Sequence, residues 1–141
     1  MNRRNAMGMA AKAALALAAV GLVPTRASAR QAPAKPNPIV LFCDLKVDPA
    51  REAEMLAHFH ERFKPAGAKF KGYIDLRMLK LRTLIQGDAL PAGVNYRFEL
   101  TYETEELRQL WIASKVHIDL WPGIENTLTE KTFHVSLFDE V

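Results

Sequence analysis

The chain has 141 residues, of which 49% are hydrophobic and 25% charged, and this composition fits one ordinary globular domain. The formal net charge of +3 comes from the N-terminus, because residues 1–29 contain four of the 19 basic residues and none of the 16 acidic ones. Since the remaining residues are close to neutral and show no basic patch, we expect no nucleic-acid partner.

The first 29 residues have the order of a secretory signal peptide. Arg3 and Arg4 precede an apolar run at residues 13–23, and residues 27–29 (Ala-Ser-Ala) form a cleavage site. The run is too short to span a bilayer, which needs about 20 residues in helix. Its weak hydrophobicity after paired arginines is similar to a twin-arginine (Tat) export signal, with Sec as the other route. We expect cleavage after Ala29, a periplasmic or secreted protein, and no permanent membrane span.

Residues 30–38 hold three prolines and predict an extended tether before a domain at residues 39–141. The first predicted strand covers residues 39–47, and its alternate positions form one apolar face that includes Cys43. Cys43 is the single cysteine, so no intramolecular disulfide can form, and we interpret it as a small buried residue rather than a reactive thiol.

Asp48 and Pro49 predict the start of a helix, with Asp48 as N-cap and Pro49 at the first helical position. Pro65 and Gly67 predict its end. The helix carries an apolar stripe formed by Ala53, Leu56, Phe59 and Phe63. Its two histidines, His58 and His60, lie on opposite sides of the helix and cannot bind one metal ion together. No metal site is predicted.

The second predicted strand covers residues 73–85, and a change of side-chain parity predicts a bulge near Met78. A turn at residues 86–93 leads to the third strand, at residues 94–102, which alternates cleanly between an apolar and a polar face. We expect the polar side chains of this strand to point toward a subunit junction, where they would pair: Asn95, Arg97, Glu99 and Thr101.

Thr104 predicts the cap of a second helix that ends at Pro122 and Gly123. Its apolar residues fall on two sides, namely Leu107, Leu110, Trp111, Ser114, Ile118 and Trp121 on one, and Ile112, Val116 and Leu120 on the other. Such a helix is buried on both sides, breaks partway, or meets another subunit. The last strand is predicted at residues 132–138, with Phe133, Val135 and Leu137 facing inward.

The order strand, helix, strand, strand, helix, strand predicts an α+β, ferredoxin-like βαββαβ fold. One antiparallel four-stranded sheet would carry both helices on a single face. The other face of the sheet presents Val40, Phe42 and Phe138. Apolar side chains on an otherwise open face predict a second subunit there.

Residues 38–141 resemble the dimeric α/β-barrel superfamily, which includes the antibiotic-biosynthesis-monooxygenase-like domains and the stress-responsive A/B-barrel domains. Residues 38–42 (Pro-Ile-Val-Leu-Phe) are similar to the first strand of the A/B-barrel proteins. Residues 102–107 (Tyr-Glu-Thr-Glu-Glu-Leu) and 110–117 (Leu-Trp-Ile-Ala-Ser-Lys-Val-His) are similar to the family's strand end, acidic cap and following helix. The resemblance implies a homodimer that packs sheet on sheet and a ligand between each sheet and its helices.

The haem-degrading members share a Trp-x-x-Ser helix start, like Trp111 to Ser114 here. They carry the haem-ligating histidine about ten positions after that tryptophan, where this chain has Trp121, and its His117 comes too early. They also use an asparagine on the first strand, where this chain offers Cys43 or Asp44. These departures argue against a haem-binding or haem-degrading protein, and we expect no cofactor.

Five residues are candidates for a site between sheet and helices. His117 could orient a phenol or take its proton near neutral pH, although a histidine late in a helix can also serve only to bind carbonyl groups. Trp111 could stack on a planar ring, although it could equally be a core residue alone. Tyr96, Cys43 and Trp121 would complete the contacts with the ligand.

These observations predict an exported homodimer that binds a small apolar or aromatic molecule. The alternative is a cofactor-independent monooxygenase of the antibiotic-biosynthesis type. In that case the pocket would hold a polycyclic phenol or quinol, and the deprotonated substrate would reduce O₂.

Overall fold

The structure, a computed structural model, describes residues 36–141. The predicted signal peptide, its cleavage site and the tether as far as residue 35 lie outside the described residues. The four strands are β1 (Ile39–Leu45), β2 (Tyr73–Lys80), β3 (Tyr96–Tyr102) and β4 (His134–Asp139). They form one antiparallel sheet in the order β2-β3-β1-β4. This confirms the predicted α+β ferredoxin-like fold with an antiparallel four-stranded sheet.

Helical segments follow β1 and β3 and cover one face of the sheet. The first set is a 3₁₀ turn (Pro49–Arg51), α1 (Glu52–His58), a π-helical turn (Phe59–Phe63) and α2 (Lys64–Gly67). The second set is α3 (Glu105–Ala113), α4 (Lys115–Leu120) and α5 (Pro122–Glu125). No helix within residues 36–141 is long and apolar enough to cross a membrane.

The hydrophobic core lies between these helices and the sheet. Alternate residues of β1 and β3 are buried, as the sequence pattern predicts, and the helices contribute the aromatic side chains of Phe59, Phe63 and Trp111. Phe63 packs edge-on against Trp111 with their ring centroids 5.7 Å apart. Burying each such side chain stabilises the fold by about 1.5–3 kcal/mol.

The first helical set begins as predicted and ends at Gly67, the second of the two residues predicted to end it. Asp48 accepts a hydrogen bond from the amide of Ala50 at 2.9 Å, which confirms it as the cap. The predicted stripe is wrong at Ala53, which is exposed, while Met55 is buried. The reason is that the chain enters through a 3₁₀ turn and then widens into a π-helical turn, which shifts the phase of the helix. Pro65 does not end the helix, which continues to Gly67.

The predicted second helix breaks at Ser114. The backbone there is extended (φ −70°, ψ 149°), and the Ser114 hydroxyl accepts a hydrogen bond from the amide of His117 at 3.2 Å, so that it caps α4. The two apolar sides of the predicted helix are therefore explained by a break partway along it. Leu110 and Ile118, which were predicted on the same side as Trp111, are exposed. Pro122 does not end the helical region but opens α5.

The second strand is shorter than predicted. β2 ends at Lys80, and its register irregularity lies between Tyr73 and Asp75 rather than near Met78. The change of parity after Met78 marks the approaching end of the strand instead of a bulge. A long connection then leads to β3 and contains Gly87 at φ +100°, a left-handed conformation that glycine adopts without strain.

The edge strand β4 is less buried than predicted. Val135 and Leu137 pair with Cys43 and Leu41 of β1, so they lie on the helix-facing side of the sheet. They nevertheless remain about half exposed, because the helices do not extend over this edge. Phe133, which precedes the strand, packs against the core as predicted.

The face of the sheet that carries no helix combines apolar and charged side chains. Phe42 and Phe138 pack edge-on with ring centroids 5.4 Å apart, and the Arg97 guanidinium lies over the Phe42 ring while it binds Asp44 at 2.6 Å. Asn95 does not join this face as predicted. Its side-chain amide instead makes two hydrogen bonds of 2.8 Å with the backbone of Val47.

Candidate functional site

A mostly apolar cavity of about 170 Å³ lies between the sheet and helices α3 and α4. Its two polar side chains, Arg108 and His117, come from the helices. The remaining wall is aliphatic, aromatic or thiol: Leu41, Cys43, Phe98, Leu100, Trp111, Ile112, Trp121, Phe133 and Val135. Because Val135 is 54% exposed, it lies at the rim, where the cavity meets solvent.

The cavity brings together four of the five residues that the sequence predicted for a site: Cys43, Trp111, His117 and Trp121. Tyr96 is not among its lining residues. Its hydroxyl donates a hydrogen bond to the Glu52 carboxylate, and its ring lies near the Lys80 ammonium at the end of the sheet. Burial, followed by that hydrogen bond, raises the pKa of Tyr96 to about 12. The ligand contact predicted for Tyr96 stays a prediction.

His117 is half-buried among aromatic rings. It stacks nearly parallel to Trp121 with 5.9 Å between ring centroids, and it meets Trp111 edge-on at 5.1 Å and Phe63 at 5.8 Å. Burial lowers the pKa of the imidazole, and the nearby positive charge of Arg108 lowers it further. At neutral pH the ring is therefore neutral, with one nitrogen that donates a hydrogen bond and one that accepts.

Ser114 sets the relative position of Trp111 and His117. Its hydroxyl donates a hydrogen bond to the Trp111 carbonyl at 2.7 Å and accepts one from the His117 amide at 3.2 Å. The break in the helix therefore joins the two cavity residues through a single side chain. Without the break, continued helical geometry would turn His117 to the border of the buried face, where the sequence pattern places it.

Trp111 serves the core and the cavity together. It is almost fully buried, and its ring lies 4.7 Å from that of Phe70. Gly67 also packs closely against it, because a Cβ at that position would lie 3.4 Å from the indole. The interpretation of Trp111 as a core residue is confirmed, and its stacking on a ligand ring stays a prediction. The second indole, Trp121, donates its N–H to Glu125 at 2.9 Å.

Cys43 contributes a neutral thiol to the cavity wall. It is buried, and that burial, with a smaller contribution from Asp44, raises its pKa to about 12. A thiol with so high a pKa is a poor nucleophile, because the thiolate is the reactive form. The geometry therefore gives Cys43 a packing role in the wall.

The sequence reasoning missed Arg108. It is only 8% exposed, lines the cavity, and binds the Glu105 carboxylate through Nε at 2.6 Å and Nη2 at 2.7 Å. Helical spacing could have revealed it, because residues three apart lie on the same face of a helix and Arg108 precedes Trp111 by three positions. A charged residue on the apolar stripe of a helix would have indicated Arg108 as a residue of the site.

The cavity is small for a haem. Its volume of about 170 Å³ lies well below the ~300 Å³ at which pockets for ligands smaller than a porphyrin commonly begin. The faces and edges of His117 are also flanked by three aromatic rings. Within residues 36–141, no group of three or more His, Cys, Asp or Glu side chains could hold a metal ion.

Several solved structures share this architecture at low sequence identity. SnoaB, a cofactor-independent oxygenase from Streptomyces nogalater, gives a TM-score of 0.57 at 14% identity, covering 74% of this chain and 94% of its own. A proposed antibiotic biosynthesis monooxygenase from Caulobacter crescentus CB15 gives 0.61 at 16% identity, covering 76% and 92%. A dimeric ferredoxin-like protein of unknown function from Jannaschia sp. CCS1 gives 0.61 at 9% identity, covering 73% and 99%.

The chain shares the ferredoxin-like fold of the antibiotic-biosynthesis-monooxygenase-like proteins. No protein-family model matches it, and no curated protein matches it by sequence. At sequence identities this low, the structural similarity establishes the fold alone, and one fold supports many activities. What this chain binds or catalyses therefore depends on the cavity. The cavity offers two indoles for stacking and a neutral imidazole for one hydrogen bond.

Proposed function

We propose that this protein binds a small aromatic molecule in the cavity between the sheet and helices α3 and α4. One observation carries the proposal: both tryptophans of the chain and a neutral histidine line the same apolar cavity. Binding sites for small molecules combine an apolar wall with a few polar groups that fix the ligand's orientation. Here the polar groups are the imidazole of His117 and the guanidinium of Arg108.

The volume favours a single ring as the occupant. A dry apolar cavity of about 150 Å³ holds one benzene molecule, and the cavity here measures about 170 Å³. The polycyclic phenol expected from the family resemblance is larger than this space. A phenol could place its ring against Trp111 and Trp121 and its hydroxyl at His117, where the neutral imidazole would accept the hydrogen bond.

Calorimetric titration with phenol tests the proposal. We expect saturable binding of one molecule per chain, and loss of that binding in Val135→Phe, because a larger side chain at the rim would fill the entrance. Leu137→Phe is the matched control, since Leu137 lies on the same side of β4 outside the cavity lining and is similarly exposed. Absence of binding by the unmodified protein, or equal binding by both variants, would refute the proposal.

A second candidate function is cofactor-independent oxidation of a phenolic or quinol substrate with O₂. The neutral imidazole of His117 favours it, because a neutral histidine beside a phenol can act as a general base. The fold shared with SnoaB, a cofactor-independent oxygenase, supports the same candidate. His117 would take the phenolic proton, and the anion of a hydroquinone would then give two electrons to O₂. The substrate leaves as the quinone, and O₂ takes up the two electrons and the two protons as H₂O₂.

Oxygen-electrode measurements with single-ring hydroquinones separate the two candidates. Uptake of O₂ that disappears in His117→Ala at saturating substrate, while the variant stays folded, would support the oxygenase. Binding without uptake on any substrate would support a ligand-binding protein. We retain ligand binding as the main proposal, because the cavity holds one such base and shows no second group organised with it for proton transfer.

We also propose that the protein is exported and forms a homodimer. The charge and hydrophobic pattern of residues 1–29 supports export, and an Arg30 N-terminus on the periplasmic protein would test the cleavage site. The Phe42–Phe138 pair on the sheet face without helices supports a dimer through that face. Phe138 is 55% exposed there, and such apolar surface is typical of an interface.

A further inference from the structure

Arg108 is a buried cation in the wall of an otherwise apolar cavity. Only 8% of the residue is exposed, and arginine is seldom buried unless its charge has partners. Glu105, one turn earlier in α3, supplies one partner by binding Nε and Nη2. The pair lies at the boundary between cavity and surface, because the Glu105 side chain is 34% exposed while that of Arg108 is 10% exposed.

The pair with Glu105 leaves part of the guanidinium unused. A guanidinium has five N–H donors in a planar fork, and Nη1 makes no hydrogen bond with another residue of the described domain. Within residues 36–141, the Tyr102 hydroxyl is the side-chain polar atom that is fully buried without a partner. Nη1, which also has no partner, is therefore not fully buried. The two N–H groups of Nη1 therefore have no partner within the described domain, in a residue that lines the cavity.

The other polar groups of the cavity do not cancel the charge of Arg108. The thiol of Cys43 is protonated, and the imidazole of His117 is neutral. Burial raises the pKa of Cys43 and lowers that of His117, while the positive charge of Arg108 acts to lower both, so its field reaches across the cavity from α3 to β1 and α4. No carboxylate is among the residues that line this space, and Glu105 binds the guanidinium from outside the lining.

We propose that the cavity selects a single aromatic ring that carries an anionic oxygen, as in a benzoate or a phenolate, with Arg108 as its counter-ion. The inference rests on the proposed function, because it assumes that an aromatic ring occupies this cavity. The ring would contact Trp111 and Trp121, and its anionic oxygen would accept hydrogen bonds from Nη1 of Arg108. Charge-assisted hydrogen bonds of this kind are stronger and more selective than neutral ones.

Calorimetric titration with benzoate and with nitrobenzene tests the inference, since the two probes have nearly the same shape and differ in charge. We expect the unmodified protein to bind benzoate at least about tenfold more tightly than nitrobenzene, the lower end of what hydrogen bonds to a charged group contribute. Arg108→Met should weaken benzoate binding by about 10- to 100-fold and change nitrobenzene binding by less than about threefold.

Glu105→Gln is the matched control. It removes the competing carboxylate and keeps the guanidinium, so benzoate should bind as tightly as before or more tightly. Arg108→Lys keeps the charge but loses the fork, and should bind benzoate with intermediate affinity. Retained nitrobenzene binding shows that a variant is folded.

The outcomes separate this inference from the proposed function. Nitrobenzene binding as tight as that of benzoate, or equal losses for both probes in Arg108→Met, would overturn the role of Arg108 and leave an aromatic site in place. No binding of either probe by the unmodified protein would overturn the proposed function itself. The comparison of benzoate with nitrobenzene on the unmodified protein needs no variant, so it decides the matter even if Arg108→Met does not fold.

Discussion

His117 shows how one side chain can depend on both the fold and the cavity. Its ring is held by Trp111, Trp121 and Phe63, and that aromatic surrounding removes water from the imidazole. Removal of water disfavours the charged form, so the neutral ring that could accept a proton from a phenol is a consequence of packing. The stability of the fold must therefore depend on the protonation of the same residue.

The sign of this dependence follows from the lowered pKa of His117. The unfolded chain, with a histidine pKa of about 6.5, binds the proton more readily than the folded chain. The neutral His117 therefore contributes fully to the free energy of unfolding above about pH 6.5, and this contribution is lost as the pH falls through the pKa of His117 in the folded protein. His117→Phe should therefore show a smaller loss of unfolding free energy between about pH 8 and about pH 5 than the unmodified protein.

Chemical denaturation at the two pH values measures this difference. His134→Gln is the control for replacing a histidine, because His134 is exposed on β4 and is not among the residues that line the cavity. If the unfolding free energy of His117→Phe depended on pH as strongly as that of the unmodified protein, the lowered pKa of His117 would be contradicted.

Gly123 provides a second test at the scale of one residue. His58 binds the Leu120 carbonyl at 2.7 Å, and a Cβ at position 123 would overlap the His58 ring. Gly123→Ala should therefore destabilise the protein by about 1–3 kcal/mol. In a His58→Ala background the same change should instead stabilise it by up to about 1 kcal/mol, because alanine favours helix.

Thermal and denaturant unfolding of the four proteins in this cycle give the answer. The prediction would be wrong if Gly123→Ala had the same sign in both backgrounds, since the contact with His58 would then have no effect on stability.

The sequence correctly predicted which face of a strand a residue lies on, because the alternation of apolar side chains decides this. It did not predict which residues of that face line the cavity, because this depends on their position along the strand. Alternation places Tyr96 and Phe98 on the same face of β3, which is correct, but cannot tell that Phe98 lines the cavity while Tyr96 binds Glu52. Arg108 was not among the predicted site residues, and arginine is mostly exposed in folded proteins. Its burial depends on Glu105, and such pairing is visible only once the helix is placed against the sheet.

At the scale of elements, the break at Ser114 is the feature that shapes the cavity. Ser114→Ala would remove both the hydrogen bond to the Trp111 carbonyl and the cap of α4. We expect a loss of about 1 kcal/mol in unfolding free energy, the usual cost of losing a cap. Ser114→Thr keeps a hydroxyl at the same position and should lose far less.

Denaturant unfolding measures the stability, and phenol affinity provides a readout that a remote structural role would not change. If Ser114 positions His117 and Trp111, the alanine variant should also bind phenol more weakly. Unchanged affinity together with reduced stability would show that the cap serves α4 alone.

The sequence predicted the order and type of the elements correctly, but not all of their ends. Thr104 and Asp48 cap helices as expected, because a capping side chain acts on amides that are close in sequence. The end of β2 at Lys80 and the break at Ser114 could not be predicted in the same way. Both depend on contacts with distant parts of the chain, since a strand ends where its neighbour β3 begins.

At the scale of the whole molecule, the sheet face without helices should decide the oligomeric state. Phe138→Asp would place a charge beside Phe42 on this face, and we expect the resulting protein to be a monomer. The substitution lies on a half-exposed strand position, so the fold itself should survive. Leu110→Asp is the control, because Leu110 is 66% exposed on α3 and should leave the dimer intact.

Light scattering coupled to size exclusion measures the mass of both variants. Twice the chain mass for the unmodified protein and for Leu110→Asp, with the single chain mass for Phe138→Asp, is the expected pattern. A monomeric unmodified protein would contradict the dimer proposal.

Occupation of the cavity by an aromatic ring is the central claim, and the two indole N–H signals in a ¹H–¹⁵N NMR spectrum test it most directly. The chain contains two tryptophans, and both line the cavity. Titration with phenol should move both indole signals along one saturation curve, because one ring contacts both side chains. Indole signals that stay unmoved up to the solubility limit of phenol, or that shift linearly without saturation, would contradict the claim.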